Sequence, residues 1–326
     1  MADPLLSVVL ELYNEDVNAL VAHSDTVDAL YRQDFPLEQS ELVVIANSRQ
    51  ICDFKELHPD LPRFAQVSLI VAQEPDCHYW TLKNLAAKKA SGDYLTFADS
   101  DVSPDPRWLS AIVKGLNSGA DLAVGPSQFR TRVLHSDSPW MLAAALPTWG
   151  FVLSPARRGE PWKAGSLMSH NFAMRRQWLL DHPFREAARS FNSSLLFFEL
   201  VRAGARTVYQ TEQRVTHAMS LQWWFRAHFR RGWETYCGRE LDQDWPRLPI
   251  IHRFPLLEPP VLRMGLVCRD ARHWFRFSSV LAVNRLRAVL LFPLVVALSF
   301  AARTAEMVGM YAALIAPRAT QHHARF

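Results

Sequence analysis

Cysteine is scarce and unorganised in this chain. Cys52, Cys77, Cys237 and Cys268 form no pair with metal-ligand or redox-motif spacing, and they read as reduced thiols of a cytoplasmic protein. No basic stretch followed by an apolar run opens the sequence, so no secretory signal peptide is expected. No glycine-rich phosphate loop lies near the N-terminus, which argues against a nucleotidyltransferase. Lysine is absent after Lys163. There is no recognised nucleic-acid motif and no lysine-rich tail, so nucleic acid is not an expected partner. Internal repeats and low-complexity tracts are missing as well.

What is present is a chain of 326 residues, 49% of them hydrophobic, with a net charge of +4. That is enough for a sizeable core and excludes a disordered protein. The charge is unevenly spread. From Val201 onward every basic side chain except histidine is arginine, and arginine outnumbers Asp plus Glu roughly two to one. Several of the eleven tryptophans share this half. The mixture suits an anionic surface, either phospholipid headgroups or phosphorylated ligands.

The first half alternates apolar strand-like runs with helical spacing. Strands are expected at 6–12, 42–46, 67–72, 94–98 and from 121, with helices at 16–33, 80–89 and 106–116. This order implies an α/β fold with a mostly parallel sheet flanked by helices. Further on, a helix over 191–203 ends at Gly204, a strand covers 206–210, and a Trp- and Arg-rich helix covers 221–236. The proline-containing stretch 245–260 reads as a linker. Residues 288–302 and 307–317 are apolar, broken by Arg303 and Glu306. The tail therefore reads as packed helices, a membrane-crossing segment or an interfacial pair, with membrane association favoured. The arginine-rich stretch before it suits a cytoplasmic, anionic membrane face.

The run 94–98 ends abruptly in Asp99-Ser100-Asp101. In an open α/β sheet, ligands sit beyond the carboxyl ends of the strands. Hard divalent cations take oxygen ligands and keep one side open for substrate phosphates. The pair thus points to a metal–diphosphate site, the alternative being an acidic loop where strand becomes turn.

Four landmarks follow in order: Ser7-Val-Val-Leu-Glu-Leu-Tyr-Asn-Glu15, Glu41-Leu-Val-Val-Ile-Ala-Asn-Ser48, Leu82 through Gly92 to Asp101, and Ser169-His-Asn-Phe-Ala-Met-Arg-Arg176. The series resembles a family 2 glycosyltransferase with a GT-A fold over about two thirds of the chain. The resemblance implies a Rossmann-like domain at 1–217, and composition divides the rest into a Trp/Arg-rich helix and linker at 218–260 and a basic, apolar, membrane-associated helical tail at 261–326. The resemblance also implies Asp99, Asp101 and His217 as ligands of Mn²⁺ or Mg²⁺. Tyr13, Glu15, Asn47, Lys83, Asp99 and Asn171 would bind the nucleotide-diphosphate sugar.

The departures from that family pattern matter. Ala46-Asn47 replaces the usual Asp-Asp or Asp-Asn, and Glu11-Leu12 stands where Pro-Thr or Pro-Ala is commoner. Asn192 and Ser193 occupy the positions of the usual Glu-Asp general base. Glu199 is the nearest acid along that helix, with Glu186 before it. The expected function is a metal-dependent, inverting sugar transfer to a hydroxyl acceptor, either a glycan or a lipid-linked molecule, on the cytoplasmic face of a membrane. The alternative is a non-catalytic relative that binds or scaffolds.

Overall fold

The computed structural model describes residues 5–12, 20–58, 63–72, 79–131, 134–153, 164–185, 192–237, 254 and 256–315. In chain order the first elements are β1 (Leu6–Glu11), α1 (Leu20–Tyr31), β2 (Ser40–Ala46), α2 (Ser48–Leu57), β3 (Gln66–Val71), α3 (Tyr79–Lys89) and β4 (Tyr94–Asp99). Next come β5 (Val102–Pro104), α4 (Trp108–Asn117), β6 (Leu122–Val124), β7 (Ser127–Arg130), α5 (Pro139–Trp149), β8 (Phe172–Arg175) and α6 (Arg176–Asp181). The chain continues through α7 (Asn192–Arg202), β9 (Thr207–Tyr209), β10 (Val215–Ala218), α8 (Leu221–Cys237), α9 (Glu258–Val280) and α10 (Arg285–Ile315).

These elements fall into two compact units. The first comprises Met1–Ser127, Val152–Ala187 and Asn192–Ala218. Its seven-stranded sheet has the order β3-β2-β1-β4-β8-β6-β9. β1 pairs in parallel with both β2 and β4, and β8 runs antiparallel between β4 and β6. The α/β architecture expected from the alternating pattern is therefore present. Every residue of β1, β2 and β4 is buried, which is why these strands read as near-continuous apolar runs rather than alternating ones. At the amino ends of these strands the Glu41 carboxylate accepts from the Ser7 hydroxyl and from the Ser91 and Gly92 amides, with Ser91 Oγ donating at 2.7 Å. A Cβ on Gly92 would fall within 2.7 Å of the Ser7 hydroxyl, so only glycine fits this staple.

The second unit comprises Gln128–Phe151, Ala188–Phe191 and Met219–Phe326. Beyond the end of β7, its described part is mainly helical, with α5, α8, α9 and α10. α8 and α10 cross backbone against backbone. A Cβ on Gly232 would meet the Glu306 carbonyl at 1.8 Å, and one on Gly309 would meet the Phe229 carbonyl at 2.0 Å. α9 starts at Glu258 with Pro259 and Pro260 in its first turn, where a missing N–H costs little. The last three residues of the expected linker are therefore helical.

Candidate functional site

The site is built at the carboxyl ends of β1 and β4. Their parallel register sets Glu11 directly beside Asp99. Two buried carboxylates side by side need a cation, and α3 supplies it. Lys83 Nζ lies 2.5 Å from Asp99 Oδ1 and 3.7 Å from Glu11 Oε1, fully buried and 4.9 Å above the Phe97 ring. The departure Glu11-Leu12 thus has a physical role: Glu11 completes the pairing of a buried ammonium. Lys83, expected at the diphosphate, is committed here to Asp99 and Glu11.

Asp101 lies two residues further on. Its side chain keeps 22% exposure, and its Oδ2 lies 3.5 Å from Nε2 of His217. β10 pairs antiparallel with β5, and the register His217↔Val102 brings this histidine to the strand end. Nδ1 of His217 lies 2.5 Å from the Ala218 carbonyl. A carbonyl only accepts, so Nδ1 carries a proton and donates there, which turns Nε2 toward Asp101. A carboxylate oxygen and an imidazole nitrogen then face each other across 3.5 Å, the two groups here that could hold a cation. Asp101 Oδ1 is buried and makes no hydrogen bond among the described residues. Burial pushes the Asp101 carboxyl up, and so does Asp99, while His217 draws it down.

His170 stands behind this pair. Its ring lies 5.1 Å from that of His217, edge to face, and its Nε2 lies 2.9 Å from Ser127 Oγ. Burial holds it well below the usual imidazole range. Its neighbour Asn171 is fully engaged by protein. Oδ1 accepts from Trp108 Nε1 at 2.9 Å, and Nδ2 donates to the Pro126 and Gln213 carbonyls at 3.0 Å each. Asn171 therefore fixes the loop that presents His170 rather than offering a free amide. Asn47 caps α2: its side chain accepts from Gln50 N at 3.0 Å, and Gln50 answers to the Asn47 amide at 3.2 Å.

Glu199 lies in an ion pair. Its Oε1 is 3.2 Å from His182 Nδ1 and its Oε2 2.9 Å from Arg185 Nη2. Asn192 bonds to the Arg185 backbone through both ends of its amide. Tyr13, Glu15 and Glu186 lie outside the described residues. The structure thus gathers Glu11, Lys83, Asp99, Asp101, His170 and His217 at one strand end. Among the described residues no cluster of three or more His, Cys, Asp or Glu side chains is arranged to hold a metal, and the Asp101–His217 pair is what remains. Reading the sequence did not single out Glu11 or Ser127 as site residues. For Glu11 the signal was available, as an acid at a buried strand end.

Comparison with known proteins bears on this geometry. The model of the family "Glycosyl transferase family 2" matches residues 7–182. Glycosyltransferase AglE of Haloferax volcanii is 26% identical over 127 residues, which are 39% of this chain and 40% of that protein. The chain thus matches about two fifths of that relative's length. Among solved structures, a mannosyltransferase from Pyrobaculum calidifontis, bound to GDP-Man and Mn²⁺, aligns over 97% of this chain and 88% of its own, with a TM-score of 0.57 at 17% identity. GalNAc-T7 with UDP, GalNAc and Mn²⁺ aligns over 70% of this chain and 47% of its own, with a TM-score of 0.50 at 15% identity. The chain belongs to glycosyl transferase family 2.

Proposed function

We propose that this member of glycosyl transferase family 2 transfers a sugar from a nucleoside-diphosphate donor to a hydroxyl acceptor, with inversion and with a divalent cation. The observation that carries the reading is the Asp101–His217 pair, with one carboxylate oxygen unpartnered among the described residues and the other facing an imidazole nitrogen at 3.5 Å. A carboxylate oxygen suits either Mn²⁺ or Mg²⁺, and an imidazole nitrogen beside it favours the transition metal of the two. Asp101 and His217 would hold the ion, with Asp99 beside them. The ion would neutralise charge building on the leaving diphosphate. The capture of two structures of this fold with Mn²⁺ and nucleotide or nucleotide sugar supports the same reading.

The protein groups have separate duties in this scheme. Lys83 screens Asp99 from Glu11, so the strand end stays formed with several carboxylates packed together. Ser127 and Asn171 hold the His170 loop against His217. The acceptor oxygen forms its bond to the anomeric carbon on the face opposite the breaking bond to the diphosphate oxygen. The hydroxyl proton leaves to a base, and the nucleoside diphosphate departs with the bonding pair. Glu199 reaches that proton only by leaving His182 and Arg185, so its present geometry favours a structural duty. The acceptor would be a lipid-linked sugar or a growing glycan. We place the enzyme at an anionic, cytoplasmic membrane face, in keeping with one C-terminal helix long and apolar enough to cross a bilayer.

Calorimetry with a panel of nucleoside diphosphates, with and without Mn²⁺, tests the reading on wild type and Asp101→Ala. Metal-dependent binding that disappears in the variant is the expected result and identifies the base. Binding indifferent to both metal and Asp101 would overturn it.

A further inference from the structure

α10 is long enough to cross a bilayer, yet its side chains divide into two faces with different commitments. Ala288, Leu291, Val295, Ala302, Glu306 and Met310 are buried. On the opposite face, at helical spacing, lie Leu286 at 72% exposure, Leu290 at 70%, Phe300 at 54% and Ile315 at 75%, with Val289 and Val308 also exposed. From Ala288 to Ile315 the only charged residues are Arg303 and Glu306, and both are buried. The outward face therefore carries no charge for about 40 Å, at 1.5 Å per residue. On α9, Phe275 stacks on Phe292 of α10 with ring centroids 5.7 Å apart, and exposed Val261 extends the apolar area. At the far end the Tyr311 hydroxyl donates to the Leu256 carbonyl, beside exposed Leu256 and Leu257.

On α9 and α10 the exposed charges have one sign. Every acid of α9 and α10, namely Glu258, Asp270 and Glu306, is buried, whereas Arg272 and Arg285 are exposed. A large apolar strip whose exposed charges on α9 and α10 are cationic, with Asp137 the acid beside Arg287, matches the acyl–headgroup boundary of an anionic bilayer.

The inward face decides how such a helix meets lipid. Glu306 accepts from His228 of α8, Arg263 of α9 and Arg303, and the glycine contacts leave no gap between α8 and α10. Crossing the bilayer would either draw α8, with Arg226, Arg230 and Arg231, into hydrocarbon or leave the Arg303–Glu306 pair there stripped of His228, Arg263 and Asp270. Both are costly. We infer that α10, with the adjoining side of α9, is a docking surface on which the protein lies flat against an anionic phospholipid bilayer. The inference rests on the membrane association proposed above and adds how the contact is made. It does not depend on the donor site.

The test uses the full chain with vesicles of phosphatidylcholine alone or mixed with phosphatidylglycerol, followed by flotation. Wild type should float with the mixed vesicles and be released by an alkaline carbonate wash. L290E/F300E, changed only at exposed positions, should keep its thermal transition and lose binding by about tenfold or more. R272Q/R285Q should lose the preference for phosphatidylglycerol by about fivefold per arginine. Absence of flotation with either vesicle would remove membrane association altogether. Retention through the carbonate wash would overturn the flat mode and leave association standing. A dimer in sedimentation that L290E/F300E dissociates, without vesicle binding, would assign the face to a second copy of the chain.

Discussion

Each unit buries a cluster of charges, and the two clusters are finished differently. In the helical unit both oxygens of Glu306 and both of Asp270 are taken: Arg303 spans the two acids, Arg263 and His228 complete Glu306, and Arg269 completes Asp270. The surplus guanidinium charge is met by the carbonyl end of α5, where Arg231 and Arg303 donate to Pro147 and Arg231 also to Thr148. In the sheet unit three carboxylates, Glu11, Asp99 and Asp101, stand against one ammonium, and Asp101 keeps an oxygen with no hydrogen bond among the described residues. A cluster in which both carboxylates are fully paired holds helices together. One that leaves a carboxylate oxygen without a hydrogen bond is what the proposed cation site would require.

The contrast can be broken most forcefully at its closed end. Glu306→Ala removes the carboxylate that Arg303 and Arg263 share in the interior, and urea unfolding should register a loss of about 3–5 kcal/mol. An unchanged midpoint would mean that the network contributes nothing to stability. At the open end, Asp101→Ala should leave the unfolding transition in place or raise it, because an underpaired buried carboxylate is removed. Turnover in a sugar-nucleotide assay should drop by about 10²–10³. A variant that unfolds but turns over normally would reverse the assignment of the two clusters.

Proton linkage sharpens the contrast at smaller amplitude. Burial lowers the pKa of His228 to about 4, with Arg231 and Arg303 adding to the depression and Glu306 opposing it. Thr148 Oγ1 faces the other ring nitrogen at 3.2 Å. The unfolded imidazole titrates near 6.5, so the unfolded chain takes up the proton first. Stability of the helical unit should therefore fall as pH drops from about 6.5 to about 4, and His228→Asn should flatten that slope. Glu306 adds the same sign below its ordinary 4.5: burial pushes it up, but Arg303 and Arg263 hold it well below. A urea midpoint insensitive to pH across this range would contradict the buried neutral imidazole. The smallest effect is expected from Glu199→Gln, which loosens a half-exposed pair with His182 and Arg185 and should leave turnover within a few-fold. A large loss of kcat at normal stability would instead make Glu199 the proton acceptor.

Much of the sheet unit was legible because its signals are local. β4 reads as an apolar run stopped by two acids, and the buried centre of the sheet follows from consecutive Val, Leu and Ile in β1 and β2. α2 escaped notice, although Asn47 and Gln50 stand at capping-box spacing. Its apolar content is carried by little more than Ile51 and Phe54. The pairing of Glu11 with Lys83 spans 72 positions and depends on strand register, which a single sequence does not reveal. The same holds for Glu306. In the sequence it interrupts an apolar run and suggests a charged break, whereas in the fold it is the centre of the helical unit.

The insertion of α5 between sheet elements has a practical consequence. Its buried side chains Leu142, Leu146 and Trp149 belong with the helical unit, yet α5 precedes β8, β9 and β10 along the chain. A truncated chain ending after Ala218, the intuitive way to isolate the sheet unit, would still carry α5 and would strip it of α9 and α10. Expression trials and limited proteolysis should treat the two units as indivisible, because no single cut in the backbone separates them.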